Sequence, residues 1–375
     1  MNPSELSKIA AEARAAFENE RAANLVRMGK VNVLISGNAG VGKSTLINAV
    51  FGSKLAKTGI GAAVTQHIQD YTVADCPLRI FDTRGFEIKG ADETVDAVRN
   101  KIDALRQSTD PNDQLHIAWT CILEQSHRIE PVQVSFLDML RDRGVPALVV
   151  VTQALGEQEM LARVRDLAVP NNGVIPVLAL ERDIAGHKIS PYGVDALVRR
   201  TLELLPEAQR SAFTAAQKAC FDLKERAAIR AIDAAVALAA SSALIPVSGG
   251  HSAALVTIQA GLIAQINAAL GVSSSDLGGR DVVAGLFGIA LAKMGGQTAF
   301  TLALGEVLRL FPGAGWVGAA AIGGPVGGAI TKMFGHVYLD AIKGSVQRDE
   351  PLPDPEALAD RMRDLLDRHA DRYRA

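Results

Sequence analysis

Gly37-x-x-x-x-Gly42-Lys43-Ser44, set within Val31–Ser44 (VNVLISGNAGVGKS), is the grouping in this chain best equipped to do chemistry. Glycines at 37, 40 and 42 let the backbone curl until successive N–H groups point at one anion. A lysine after the last glycine can reach the terminal phosphates of a nucleotide, and the Ser44 hydroxyl can ligate Mg2+. Downstream, an apolar run ends in Asp82-Thr83-Arg84-Gly85. That places a carboxylate where a phosphate-bound cation needs an acceptor, reached through water. Gly85 can offer its N–H to a γ-phosphate with no side chain in the way. Thr65, in the small-residue loop Lys57–Gln66, is the natural hydroxyl to complete the Mg2+ shell. In this order the residues describe a site for a nucleoside triphosphate with Mg2+.

Such a site needs a strand, a tight loop and a helix in succession. Val31–Ser36 supplies the strand, and Thr45-Leu-Ile-Asn-Ala-Val a helix whose positive N-terminal end faces the same anion. His67–Val73 and Leu78–Asp82 read as a hairpin that puts two strands antiparallel at one sheet edge. Leu115–Ile122, Pro146–Thr152 and Val174–Leu180 are buried-strand runs. They alternate with helical segments Asp92–Gln107, Pro131–Arg143 and Glu157–Leu167. The expected fold is α/β: a mainly parallel sheet with one antiparallel edge strand and helices on both faces. Its ligand should lie at the carboxyl ends of the strands.

The chain has 375 residues, enough for two domains. A net charge of −2 gives no global basic field for nucleic acid. Cys76, Cys121 and Cys220 form no C-x-x-C pair and suit a reducing compartment. The charged start, with Leu6, Ile9, Ala13, Phe17 and Leu25 near helical spacing, reads as an amphipathic helix packed beside the nucleotide domain. It lacks an apolar signal-peptide core, so a cytoplasmic protein is expected. The plan is an N-terminal helix (1–29), a nucleotide domain (30–205), a helical connector (206–230), an Ala/Gly-rich all-α domain (231–347), and a Pro-rich linker with a C-terminal helix (348–375).

Gly37–Ser44, Thr65 and Asp82–Gly85 resemble the first three motifs of the translation-factor-like P-loop GTPases, which include Era and TrmE. The resemblance implies GTP/GDP and Mg2+ as cofactors and a GTP hydrolase of low intrinsic activity. It implies that Asn38, Ala39, Gly40, Val41, Gly42, Lys43, Ser44 and Thr45 wrap the phosphates. Ser44, Thr65 and, through water, Asp82 would hold the metal. Thr152, Gln153 and Ala179 would face the base, and Lys43, Thr65, Gly85 and Arg84 would serve catalysis. Around Thr65 and after Gly85 it implies two switch segments ordered by the γ-phosphate. Two departures stand out. Guanine is normally read by Asn/Thr-Lys-x-Asp, whereas this strand ends Thr152-Gln153-Ala154-Leu155, with no lysine and no aspartate. The water-orienting glutamine expected after Asp-x-x-Gly is Phe86, as in dynamin-like and immunity-related GTPases. Arg84 is open between a transition-state cation and a surface ion-pairing arginine.

The second half changes character. From Ala234 through Ser275 there is no Asp, Glu, Lys or Arg. Leu310–Thr331 carries Gly323/Gly327 and Gly324/Gly328 at four-residue spacing, which suits close helix packing in lipid. Polar Gln259, Gln265, Asn267, Lys293 and Glu306 interrupt the apolar segments as in a soluble bundle. Both readings stay open: a soluble or peripheral helical domain, and one inserted in the inner membrane. Ala234–Gly250, Ile258–Gly271 and Leu310–Gly335 resemble the helical domain of unknown function that follows the GTPase in a group of bacterial proteins and recurs in YcjF-type membrane proteins. That resemblance implies a membrane surface or a nucleotide-dependent homo-oligomer as partner. The expected function is a GTPase switch that moves this domain. The alternatives are a nucleotide-sensing module with negligible turnover or relaxed purine (ATP) specificity, and a ribosome- or RNA-associated GTPase. No basic stripe supports the last, and nucleic acid is not expected as a partner.

Overall fold

The computed structural model describes residues 3–52, 62–63, 68–72, 77–83, 85–86, 91–156, 158–166, 172–241, 251–273, 276 and 325–374. Thr65, Arg84 and His67 lie outside them, as do 242–250, 277–324 and therefore most of Leu310–Thr331. The chain divides into two compact units, Met28–Phe221 and Met1–Arg27 with Asp222–Ala375.

In the first unit seven strands form one sheet in the order β2-β3-β4-β1-β5-β6-β7. They are β1 (Val31–Ser36), β2 (Ala62–Ala63), β3 (Ile68–Thr72), β4 (Leu78–Thr83), β5 (Ile117–Leu123), β6 (Ala147–Thr152) and β7 (Val174–Val177). Strands β4, β1, β5, β6 and β7 run parallel, and β3 pairs antiparallel with β4, as the alternation of strand and helix requires. Every residue of β1 and β6 is buried, which is why these strands read as unbroken apolar runs. One core layer joins Leu34, Phe81, Ala118 and Val149 of the sheet to Val98, Phe136 and Leu140 of the covering helices. Those helices are α2 (Lys43–Phe51), α3 (Ala91–Leu105), α4 (Pro131–Asp142), α5 (Gln158–Asp166), α6 (Val194–Leu204) and α7 (Glu207–Ala216). On another layer Trp119 stacks on Phe51 and meets Phe213 edge-on, and its Nε1 donates to Thr201 Oγ1 at 3.0 Å.

Two features of the first unit differ from the sequence reading. The stretch read as a connector breaks at Gln217–Cys220: α7 buries Ala212 and Phe213 within the first unit, and α8 (Phe221–Ser241) starts afresh. After β7 the chain makes a small antiparallel hairpin, β8 (Arg182–Ile184) and β9 (His187–Ile189), that had not been foreseen.

In the second unit α1 (Pro3–Met28) joins α8, α9 (His251–Leu270), α10 (Pro325–Gln347) and α11 (Pro355–Arg374). The expectation that α1 packs beside the nucleotide domain is thus corrected: Glu20 accepts a hydrogen bond from Gln265 at 2.9 Å. Ala13 and Phe17 are buried, but Leu25 is exposed, because eight residues carry it about 80° round the helix from Phe17. A Cβ on Gly335 would lie 2.8 Å from Ile232 and 3.0 Å from Leu262, so α10 approaches α8 and α9 closely at this point. Tyr338 donates to Asn267 at 2.8 Å, satisfying a buried hydroxyl. Leu358 and Met362 of α11 are buried, and Arg361 reaches the Ala341 carbonyl of α10. Among the described residues no helix is long and apolar enough to cross a membrane.

Candidate functional site

The loop between β1 and α2 turns on three glycines with positive φ: Gly37 at 139°, Gly40 at 73° and Gly42 at 99°. Gly37 has no room for a side chain, since a Cβ would lie 2.4 Å from the Cys121 carbonyl of β5. Gly42 caps α2 without any side-chain hydrogen bond, so the first amides of that helix have no side-chain cap. Lys43 folds back across its own loop, its Nζ donating to the Gly37 carbonyl at 2.7 Å and the Asn38 carbonyl at 3.2 Å. Ala39, Gly40 and Ser44 are exposed, while Val41 is buried. Asn38 Oδ1 is buried with no hydrogen-bond partner.

Strand β4 brings Asp82 level with Ile35, beside the start of this loop. Its Oδ1 is also buried and without a partner. Burial pushes the Asp82 carboxyl up to about 6, and the Lys43 ammonium partly offsets the rise. Three residues on, Gly85 lies against the loop itself: a Cβ there would sit 2.5 Å from Ala39 N and 3.1 Å from the Asn38 carbonyl carbon. Phe86 turns the other way, into the core, its ring 5.0 Å from that of Phe136. An uncapped helix start and an ammonium beside it fit a chain of phosphates. The exposed Ser44 hydroxyl and the unpartnered Asp82 oxygen are a donor set suited to a hard cation such as Mg2+.

The ends of β5, β6 and β7 form the neighbouring rim. Thr152 is buried, and its hydroxyl donates to the Val41 carbonyl at 2.6 Å, with the Ile122 carbonyl a second acceptor at 3.2 Å. It therefore braces the loop rather than projecting from it. Gln153 has a left-handed backbone, φ 51°, an uncommon conformation outside glycine. Its Nε2 lies 3.5 Å from the Gly40 carbonyl, and its Oε1 accepts from Arg182 of the hairpin. Ala179 follows β7 and is half-buried. The sequence reading missed two residues of this rim. Glu124, fully buried at the end of β5, accepts from the main-chain N–H groups of Leu155 and Gly156. Arg182 is the other.

A parallel sheet with this strand order, whose first strand runs through a three-glycine loop into a lysine-headed helix, defines a P-loop nucleotide-binding domain. Residues 32–153 match the family described as 50S ribosome-binding GTPase, and this part of the chain is a P-loop GTPase domain. The chain is 32% identical over 183 residues to GTPase Era of Stenotrophomonas maltophilia (strain K279a), covering 47% of this chain and 56% of that protein. It is 27% identical over 200 residues to the tRNA modification GTPase MnmE of Bordetella petrii, covering 48% and 43%. The chain thus spans about half the length of the curated relatives it matches. A crystal structure of a probable GTP-binding protein engB aligns with a TM-score of 0.32 and 20% identity, over 46% of this chain and 98% of that one.

Proposed function

We propose that residues 30–205 form a Mg2+-dependent guanine-nucleotide switch with slow GTP hydrolysis, and that its nucleotide state acts on the helical domain of 231–347 at a membrane surface or in a homo-oligomer. The observation that carries the reading is Lys43 laid across the Gly37 and Asn38 carbonyls beside an unpartnered Asp82. A triphosphate can draw the ammonium off those carbonyls onto its β- and γ-oxygens, a charge-assisted contact stronger than the two it replaces. Loop amides from Asn38 to Thr45 and the α2 N-terminus add positive potential at the same phosphates. Ser44, Thr65 and, through water, Asp82 would hold Mg2+, which supplies charge neutralisation at the β- and γ-phosphates when bound. Gly85 would offer its N–H to the γ-phosphate. Because Phe86 is packed in the core, no side chain at that position orients water, which supports slow turnover.

A second reading, a nucleotide-sensing module with negligible hydrolysis, draws on the same buried Phe86. Single-turnover phosphate release separates the two. Competition of GTP against ATP, with Lys43→Ala as control, tests the site. Removing the ammonium should cost about 2–4 kcal/mol of nucleotide binding while the melting temperature stays near the parent's. Parental affinity in that variant would place the nucleotide elsewhere.

A further inference from the structure

The turn after β6 is where a carboxylate normally reads the guanine N1–H and 2-amino groups, and position 155 here is leucine. Glu124 lies beside this turn, but both its oxygens are taken up by the Leu155 and Gly156 amides and the side chain is fully buried. Glu181, at the foot of the hairpin, is paired with Lys188 at 3.0 Å. Among the described residues, what the turn itself presents is donors. The Gln153 carbonyl is held by Gln125 Nε2 at 2.9 Å, fixing its left-handed turn. Its side chain then bridges from the Gly40 carbonyl of the phosphate loop to the Arg182 guanidinium. Arg182 is exposed, and four of its five N–H donors are free of Gln153.

We propose that the site selects 6-oxopurines through their acceptor edge alone. Arg182, positioned by Gln153, donates to O6 and N7, and among the described residues no group accepts from N1–H or the 2-amino group. This rests on the reading of the Gly37–Ser44 loop as a nucleotide site. Guanine and hypoxanthine present the same O6 and N7 acceptors, whereas adenine carries an amino donor at position 6. A guanidinium opposite that amino group leaves two donors facing each other, with nothing to accept from either.

The test is competition of GTP, ITP and ATP against ribose-labelled fluorescent GDP on the full chain with Mg2+. ITP should match GTP within about twofold, and ATP should be at least about fivefold weaker, the lower bound for one good donor pair to a base edge. Arg182→Ala should weaken GTP and ITP alike by about fivefold or more and ATP by less than twofold. Arg182→Lys should recover part of the loss. ITP binding tenfold weaker than GTP would overturn the proposal, because a carboxylate would then be reading the 2-amino group. An unchanged GTP-to-ATP ratio in Arg182→Ala would equally overturn it. If none of the three competes, or Lys43→Ala competes as the parent does, the nucleotide site itself is misplaced and the proposal falls with it.

Discussion

Gly85→Ala isolates the contact between the Asp82–Gly85 segment and the phosphate loop. The added Cβ would lie 2.5 Å from Ala39 N, 3.1 Å from the Asn38 carbonyl carbon and 3.3 Å from Ala39 Cα. The nearest of these is about 1 Å inside normal contact distance. All three are backbone atoms that cannot swing away. The loop is the stiffer partner, braced by Thr152 on Val41 and by Lys43 on Gly37 and Asn38. Residue 85 must therefore move, at a cost of about 1–3 kcal/mol. On the proposed role of Gly85, that movement carries its N–H away from the γ-phosphate, so GTP should bind about 5- to 150-fold more weakly while GDP changes about threefold or less. Gly40→Ala is the contrasting control. Its Cβ would meet nothing within 4 Å, and the only cost is the left-handed backbone at φ 73°, about 1–2 kcal/mol. That penalty should fall on GDP and GTP alike. Titrations of ribose-labelled GDP and a non-hydrolysable GTP analogue, with melting curves, read both variants. Equal losses for the two nucleotides in Gly85→Ala, or no loss for either, would refute the reasoning.

His116 accepts from Asn32 N at 2.9 Å through Nδ1 and contacts the Pro111 carbonyl at 3.0 Å through Nε2, a pairing that requires the neutral ring. Burial lowers its pKa below the unfolded value near 6.5, against a smaller upward pull from Pro111. Its contribution to stability should be complete above pH 6.5 and fade as pH falls below it, and urea midpoints should be less pH-dependent in His116→Gln. Thr201→Val leaves the buried Trp119 N–H without its acceptor and should cost about 1–3 kcal/mol in the same assay. Phe86→Ala removes a ring packed on Phe136 and should destabilise the protein by about 3–5 kcal/mol. Its single-turnover GTP hydrolysis at saturating nucleotide should stay within about threefold of the parent's. A hydrolysis rate that collapses while stability holds would mean that Phe86 faces the reaction.

What the sequence made legible follows from how far apart the cooperating residues lie. The phosphate loop is local: glycine at three positions, a lysine and a hydroxyl within eight residues create their own geometry, and burial of β1 and β6 on both faces prints them as apolar runs. Asp82 was legible because a parallel neighbour must end beside the loop, and the register of Asp82 against Ile35 places it there. The hairpin Arg182–Ile189 was not, since β8 is wholly exposed and leaves no apolar trace. Its one local signal is an aspartate-capped turn, in which Gly186 N donates to Asp183 at 2.8 Å. Helix α7 was legible as helix within the connector, but its place in the first unit was not, because that rests on Phe213 against Trp119, far away in sequence. The rim at the ends of β5, β6 and β7 is built differently again. Glu124 meets Leu155 across 31 residues, Gln153 meets Arg182 across 29, and Gly40 is 113 from Gln153. No spacing rule links such positions; only the β5-β6-β7 order does. The missing aspartate at 155 shows in a local motif, whereas the approach of Arg182 to Gln153 shows only in the fold. The site's specificity has to be argued from which donors and acceptors the fold leaves facing outward.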